Sequence, residues 1–110
     1  MSKINFYQKK YEALETFYGW IDQGSGYDIA AEQSFYYNHS LEEIEEIILS
    51  ITIATRYARC GRTISEQFKS RLETVIPKAK ALNLRDYGLT DEEIKVFGDE
   101  TAEAEALLLQ

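Results

Sequence analysis

Residues 40–60 read SLEEIEEIILSITIATRYARC, and this stretch decides the fold class. Its apolar side chains recur every three or four residues, which is the period of one face of an α-helix. The predicted buried face comprises Ile44, Ile47, Ile48, Ile51, Thr55 and Ala58. Leu49 and Ile53 add a second apolar side, as expected of a helix surrounded by others. The β-branched residues at 51–53 are also compatible with a strand, but the helical spacing outweighs them.

Predicted N-terminal capping boxes divide the chain into helices. In each box a serine or threonine precedes a glutamate by three residues. The pairs are Ser40 and Glu43, Thr63 and Glu66, and Thr90 and Glu93. Two further helices are predicted at 5–23, ended by Gly24, and at 27–37, and Gly61 is predicted to end the third. Pro77 should kink or split the fourth helix and leave residues 78–84 as a shorter continuation. We therefore expect an all-α fold: one domain over residues 1–110, a compact bundle of four or five helices with the Ser40–Cys60 helix at its centre.

The first helix has two overlapping apolar stripes, so we predict that it contacts two neighbours. The main stripe at spacings of three and four is Ile4, Tyr7, Tyr11, Leu14, Tyr18 and Ile21. A second set extends it on one side and comprises Phe6, Ala13, Phe17 and Trp20. We predict that the main stripe, including its tyrosines, faces the core.

Charge and composition narrow the functional classes. The net charge is −7, and residues 91–110 contain seven acidic side chains against Lys95 alone, a local charge of −6. Such a field repels nucleic acid and favours a basic partner or simple solubility. No apolar run approaches the ~20 residues needed to span a bilayer. Cys60 is the only cysteine and cannot form an internal disulfide, so we expect a cytoplasmic protein without membrane contact.

The residues of catalytic and metal sites are sparse in this sequence. His39 is the only histidine and Cys60 the only thiol, and neither has a predicted catalytic partner. The glutamates at 42–46 lack the histidine that a helical carboxylate metal site needs. A basic stretch at 61–71 resembles a DNA-reading helix, but the acidic chain argues against it. We predict no enzymatic activity, no cofactor, no metal and no nucleic-acid partner.

Tyrosine is abundant, with eight residues, and several tyrosines lie near carboxylates. Tyrosine combines a large contact area with a polar group and is enriched at protein interfaces. The predicted partner-binding residues are Tyr27, Asp28, Tyr36, Tyr37, Glu42, Glu45 and Glu46. An acidic surface with tyrosines suits the inhibition of a basic protein, because electrostatic attraction speeds association.

The order of these features resembles the immunity protein 3 family of bacterial polymorphic-toxin systems over residues 10–98. The resemblance rests on YEALETFYGW at 11–20, the alanine-containing segment at 28–31, EEIILSITI at 45–53 and LTDEE at 89–93. The glycine-rich connection at 24–26 and the arginine-rich end of the third helix do not match the family.

The resemblance implies an immunity protein that neutralises a cognate bacterial toxin by stoichiometric binding. The acidity of the chain predicts that this toxin has a basic surface. A phage- or host-encoded inhibitor or nucleic-acid mimic is one alternative, with the acidic carboxyl-terminal helix in place of phosphate. A non-inhibitory helical adaptor subunit, including a homodimer, is the other. A toxin gene immediately upstream would favour immunity, whereas phage structural genes would favour mimicry.

Overall fold

The chain folds as five α-helices and a short 3₁₀ helix within the residues that the computed structural model describes, 4–37 and 42–109. No strand occurs in this part, so the predicted all-α class is confirmed. The helices are α1 (Phe6–Asp22), α2 (Tyr27–Tyr37), α3 (Glu43–Arg59), α4 (Glu66–Ala81) and α5 (Asp91–Leu107), with the 3₁₀ helix at Leu84–Tyr87. None of these helices is long and apolar enough to cross a membrane.

Helix α3 lies at the centre of the bundle, as predicted. It contacts each of the other four α-helices, and every residue from 47 to 55 is buried. Ile47 and Ile51 of the predicted stripe are each 1% exposed. The polar residues on this helix form local bonds where they can: the Thr55 hydroxyl donates to the carbonyl oxygen of Thr52 at 2.6 Å. A helix buried on several sides needs neighbours on all of them, which is why the other helices surround it.

The start of α3 differs from the prediction. The helix begins at Glu43, and its N-cap, Glu42, has extended backbone and no side-chain capping bond. The predicted box between Ser40 and Glu43 lies outside the described residues, because Ser40 is not among them. The acidic first turn places negative charge at the positive end of the helix dipole, a favourable interaction that needs no cap.

The start of α4 is also later than predicted. Ser65 is the N-cap, and its hydroxyl oxygen accepts from the backbone N–H of Phe68 at 3.2 Å. The predicted box between Thr63 and Glu66 is therefore wrong. Serine is a somewhat better N-cap than threonine, which favours the later of the two candidate positions.

Pro77 does not split α4. The helix continues from Glu66 to Ala81 through the proline, so the predicted separate helix at 78–84 is wrong. Proline removes a single backbone donor from the helix. Ile76 and Ala79, on either side of it, are each 3% exposed, and their burial holds the helix against its neighbours.

Other predicted helix signals are confirmed. The hydroxyl oxygen of Thr90 accepts from the N–H of Glu93 at 3.2 Å, and the Glu93 carboxylate accepts from the N–H of Thr90 at 2.8 Å. This is the predicted capping box of α5. Gly24 and Gly61 follow the ends of α1 and α3 and have φ values of +97° and +65°, a conformation that glycine adopts without strain.

Helix α1 buries residues of its second predicted stripe and exposes part of its main one. Its buried residues are Phe6, Ala13 and Phe17. Tyr7 and Tyr11 are 47% and 61% exposed, so their predicted core positions are wrong. The buried stripe includes Lys10, whose side chain is only 11% exposed. Lys10 interrupts the apolar pattern of the buried stripe. The stripe that contains Tyr7 and Tyr11 has no such interruption, so it gave the more continuous apolar pattern.

A buried ion pair joins α1 to α5. The ammonium group of Lys10 contacts both carboxylate oxygens of Glu100 and lies 3.5 Å from the hydroxyl oxygen of Thr52 on α3. The Glu100 side chain is 6% exposed, and Arg59 lies 3.9 Å from its second oxygen. Burial lowers the pKa of Lys10, and the hydrogen bond to Glu100 opposes that shift. The sequence pattern had grouped Glu100 with the solvent-exposed acidic residues of the carboxyl-terminal segment, which is incorrect.

Removing one partner of this pair should be strongly destabilising. Glu100→Gln leaves the Lys10 ammonium buried without its counter-charge, so we expect a loss of roughly 3–5 kcal/mol in the free energy of unfolding. Glu103→Gln is the matched control, because Glu103 binds Arg59 on the surface and such pairs contribute at most about 1 kcal/mol. Urea denaturation of both variants measures the difference. Equal midpoints for the two variants would contradict a buried pair.

Candidate functional site

A groove runs between α2 and the first half of α4. Its volume is about 550 Å³, within the roughly 300–1,000 Å³ range of ligand sites in proteins. The residues that line it are Asp28, Ala31, Glu32, Phe35 and Tyr36 from α2, and Ser65, Gln67, Phe68, Ser70 and Arg71 from the α4 side. One wall therefore carries carboxylates and a tyrosine, and the other carries uncharged polar groups and one arginine.

The floor of the groove is a packed cluster of aromatic rings. Phe35 and Phe68 meet edge to face, with ring centroids 5.2 Å apart. Tyr57 of α3 packs behind Phe68 in the same manner at 5.3 Å. All three rings are largely buried. Edge-to-face contacts of this kind hold rings in defined positions, so the floor is rigid.

Arg71 lines the groove from the α4 side. Its guanidinium group lies over the Phe35 ring, 3.9 Å from the centroid, in a cation–π contact. Burial lowers the pKa of Arg71, and the nearby charge of Glu46 opposes the shift. Arginine remains protonated under such conditions. Glu46 therefore supplies a counter-charge to an arginine that already occupies an aromatic face.

Asp28 is held in place from beneath by a core tyrosine. The Tyr57 hydroxyl donates to an oxygen of the Asp28 carboxylate at 2.7 Å. Burial raises the pKa of Tyr57, and so do its hydrogen bond to Asp28 and the charges of Asp28 and Glu32, whereas the charge of Arg62 opposes the shift. Both carboxylates therefore act on the same hydroxyl.

Two predicted partner-binding residues, Asp28 and Tyr36, line the groove. Tyr36 is 68% exposed. Tyr27 is not among the residues that line the groove. Its ring contacts those of Phe17 and Tyr57, and the Arg62 guanidinium lies 3.9 Å from its centroid.

The three predicted glutamates lie in different surroundings. The charge of Glu46 acts on Arg71 of the groove, whereas Glu45 forms a 2.7 Å salt bridge to Lys9 of α1 and is 16% exposed. Glu42 is exposed at the N-cap of α3. Tyr37 is the last residue of α2, and its side chain lies outside the described part of the structure.

The carboxylates of α5 and those of the groove differ in their charge partners. On α5, Glu103 pairs with Arg59 at 3.2 Å and Glu105 with Lys80 at 2.6 Å, in addition to the buried Glu100 pair. Asp28 and Glu32 form no salt bridge with any lysine or arginine in residues 4–37 and 42–109. Much of the charge on α5 is therefore balanced internally, whereas the two carboxylates of the groove are available to an external cation.

Of the ten residues that line the groove, the predicted partner-binding set contains only Asp28 and Tyr36. Asp28, Glu32 and Tyr36 are spaced by four residues, which places them on one face of a helix, and this signal could have added Glu32 to the predicted set. Gln67, Ser70 and Arg71 of α4 carry no such signal. Their role depends on which helices pack together. Across the described residues, no cluster of three or more histidine, cysteine or acidic side chains could hold a metal ion.

The hydrogen bond beneath Asp28 should contribute measurably to stability. Tyr57→Phe keeps the ring and removes a bond to a charged acceptor, so we expect a loss of roughly 1.5–3 kcal/mol. Tyr11→Phe is the matched control at an exposed position and should change stability by less than about 0.5 kcal/mol. Thermal denaturation monitored by circular dichroism provides the test. A Tyr57→Phe variant as stable as the wild type would mean that the bond is not formed in solution.

Comparison of the chain with protein-family models, curated proteins and solved structures gives no match. The resemblance to the immunity protein 3 family is neither supported nor opposed by these comparisons. It stays a prediction, and the function must be argued from the groove itself.

Proposed function

We propose that this protein is an immunity protein that neutralises a cognate bacterial toxin by stoichiometric binding, with the groove between α2 and α4 as the contact site. The observation that carries the proposal is the pairing of exposed Tyr36 with two carboxylates, Asp28 and Glu32, that have no cationic partner within the described residues. An exposed tyrosine beside a rigid apolar floor is typical of the energetic centre of an interface.

Electrostatics supports a basic partner for this groove. The net charge of −7 attracts a basic protein from a distance and raises the association rate. The carboxylates of the groove then act at short range, where desolvated charge pairs discriminate between partners. Inhibition by binding needs no reactive group in the inhibitor. We place the protein in the cytoplasm, where the producing cell needs protection.

The nucleic-acid mimic alternative depends on a different surface. It needs the acidic residues of α5 to be available as substitutes for phosphate. Glu100 is 5% exposed, and Glu103 and Glu105 are paired with cations of α3 and α4. This pairing favours the α2 groove over α5 as the contact site. Neutralising Glu100 should also reduce stability, because Glu100 is the counter-charge of the buried Lys10.

Co-expression with the adjacent gene product tests the proposed function. The carboxyl-terminal domain of the protein encoded immediately upstream is induced in bacteria with and without this chain. We expect growth arrest in its absence and normal growth in its presence. Arrest that persists despite verified soluble expression of this chain, or an upstream product that is harmless, would contradict the proposal.

The contribution of the groove is measured on the purified complex. Tyr36→Ala should raise the dissociation constant by about 30-fold, corresponding to about 2 kcal/mol, the threshold of an interface hot spot. Tyr11→Ala is the matched control, because Tyr11 is similarly exposed but lies on α1. Isothermal titration calorimetry gives both values. Equal affinities for the two variants would place the interface elsewhere.

A further inference from the structure

The two walls of the groove indicate what kind of group it receives. Asp28 and Glu32 lie one helical turn apart on α2, and both raise the pKa of the same hydroxyl, that of Tyr57. The Tyr57 hydroxyl donates a hydrogen bond to one oxygen of Asp28. The other oxygen of Asp28 and the carboxylate of Glu32 remain open to the groove. Two carboxylates so placed can bind two donors of a single cationic group.

The aromatic rings in this region already bind guanidinium groups. Arg71 lies 3.9 Å from the ring centroid of Phe35, and Arg62 lies at the same distance from that of Tyr27. In both cases an arginine of the chain itself covers an aromatic face. Tyr36, at 68% exposure, offers further aromatic surface beside the carboxylates. Arginine combines a planar, stackable cation with a fork of donors that matches a carboxylate, whereas lysine has a compact, strongly hydrated charge.

Arg71 is the one cation among the groove-lining residues, and it could repel an incoming arginine. Its guanidinium group lies over the Phe35 ring, and Glu46 supplies a nearby negative charge. Both contacts reduce that repulsion. The remaining groups on its wall are the side chains of Ser65, Gln67 and Ser70. These donors and acceptors suit the backbone of a peptide segment, which offers both kinds of group.

We propose that the groove binds an arginine side chain of the partner protein. In this arrangement the guanidinium group pairs with Asp28 and Glu32 and lies against Tyr36. The inference rests on the proposed function, since it names the group by which the inhibited protein is held.

A peptide titration tests this chemistry without the toxin. The full ¹⁵N-labelled chain is titrated with acetyl-Leu-Arg-Leu-amide and, in parallel, with the same peptide carrying citrulline, which keeps the shape and lacks the charge. We expect saturable shifts of backbone amides at 28–36 and 65–71. The citrulline peptide should bind about 10-fold more weakly, as follows from losing a hydrogen bond to a charged group.

A variant pair locates the charge in the groove. Glu32→Gln should weaken binding of the arginine peptide about 10-fold by the same reasoning. Glu15→Gln, an exposed glutamate on α1, should leave it unchanged. Because both positions are exposed, the amide spectra of the free variants should match that of the wild type outside the mutated turn.

Several outcomes would overturn the inference. Three of them are equal binding of the arginine and citrulline peptides, shifts centred outside the groove, and the absence of saturable shifts. The fourth is tighter binding of acetyl-Leu-Glu-Leu-amide, which would mean that the groove binds an anion through Arg71. The peptide result is independent of the growth assay. Arginine binding with failed protection would remove the immunity function alone, and protection without arginine binding would remove this inference alone.

Discussion

Burial of α3 on nearly every side is the constraint on which the rest of the structure depends. A helix with no solvent-facing stripe over residues 47–55 must be covered by all its neighbours, and each of the other α-helices contacts it. Tyr57 lies near the end of α3. Its ring packs among the aromatic residues of the core, and its hydroxyl group donates a hydrogen bond to Asp28. The position of the groove thus follows from the packing of the central helix.

The buried ion pair between Lys10 and Glu100 shows that the acidic residues of the last 20 positions do not all face solvent. The net charge of −7 is concentrated in the last 20 residues, which suggests an acidic tail facing solvent. Glu100 instead lies inside the bundle and ties α5 to α1, and its neighbours on α5 pair with cations of α3 and α4. Net charge therefore describes long-range attraction. It does not locate the contact surface that we propose, which contains carboxylates without salt-bridge partners among the described residues.

The sequence predicted the helices better than their faces and starts. The bounds of α2, the capping box of α5 and the buried stripe of α3 depend on residues that are close together in the sequence. Such local patterns can be recognised without knowing how the helices pack. The face of α1 was mispredicted because Lys10 lies within its buried stripe. On the groove, Asp28 and Tyr36 were identified from composition, whereas Arg71 could not be, because no local pattern specifies that α4 packs beside α2.

Hydrogen exchange on the complex with the upstream-encoded protein tests the central claim most directly. If the groove is the interface, amides at 27–36 and 66–71 gain protection on binding, because ordering and burial of these helices suppress local opening. Those of α5 should change little. Protection confined to α5, with α2 and the start of α4 exchanging as in the free protein, would contradict the account.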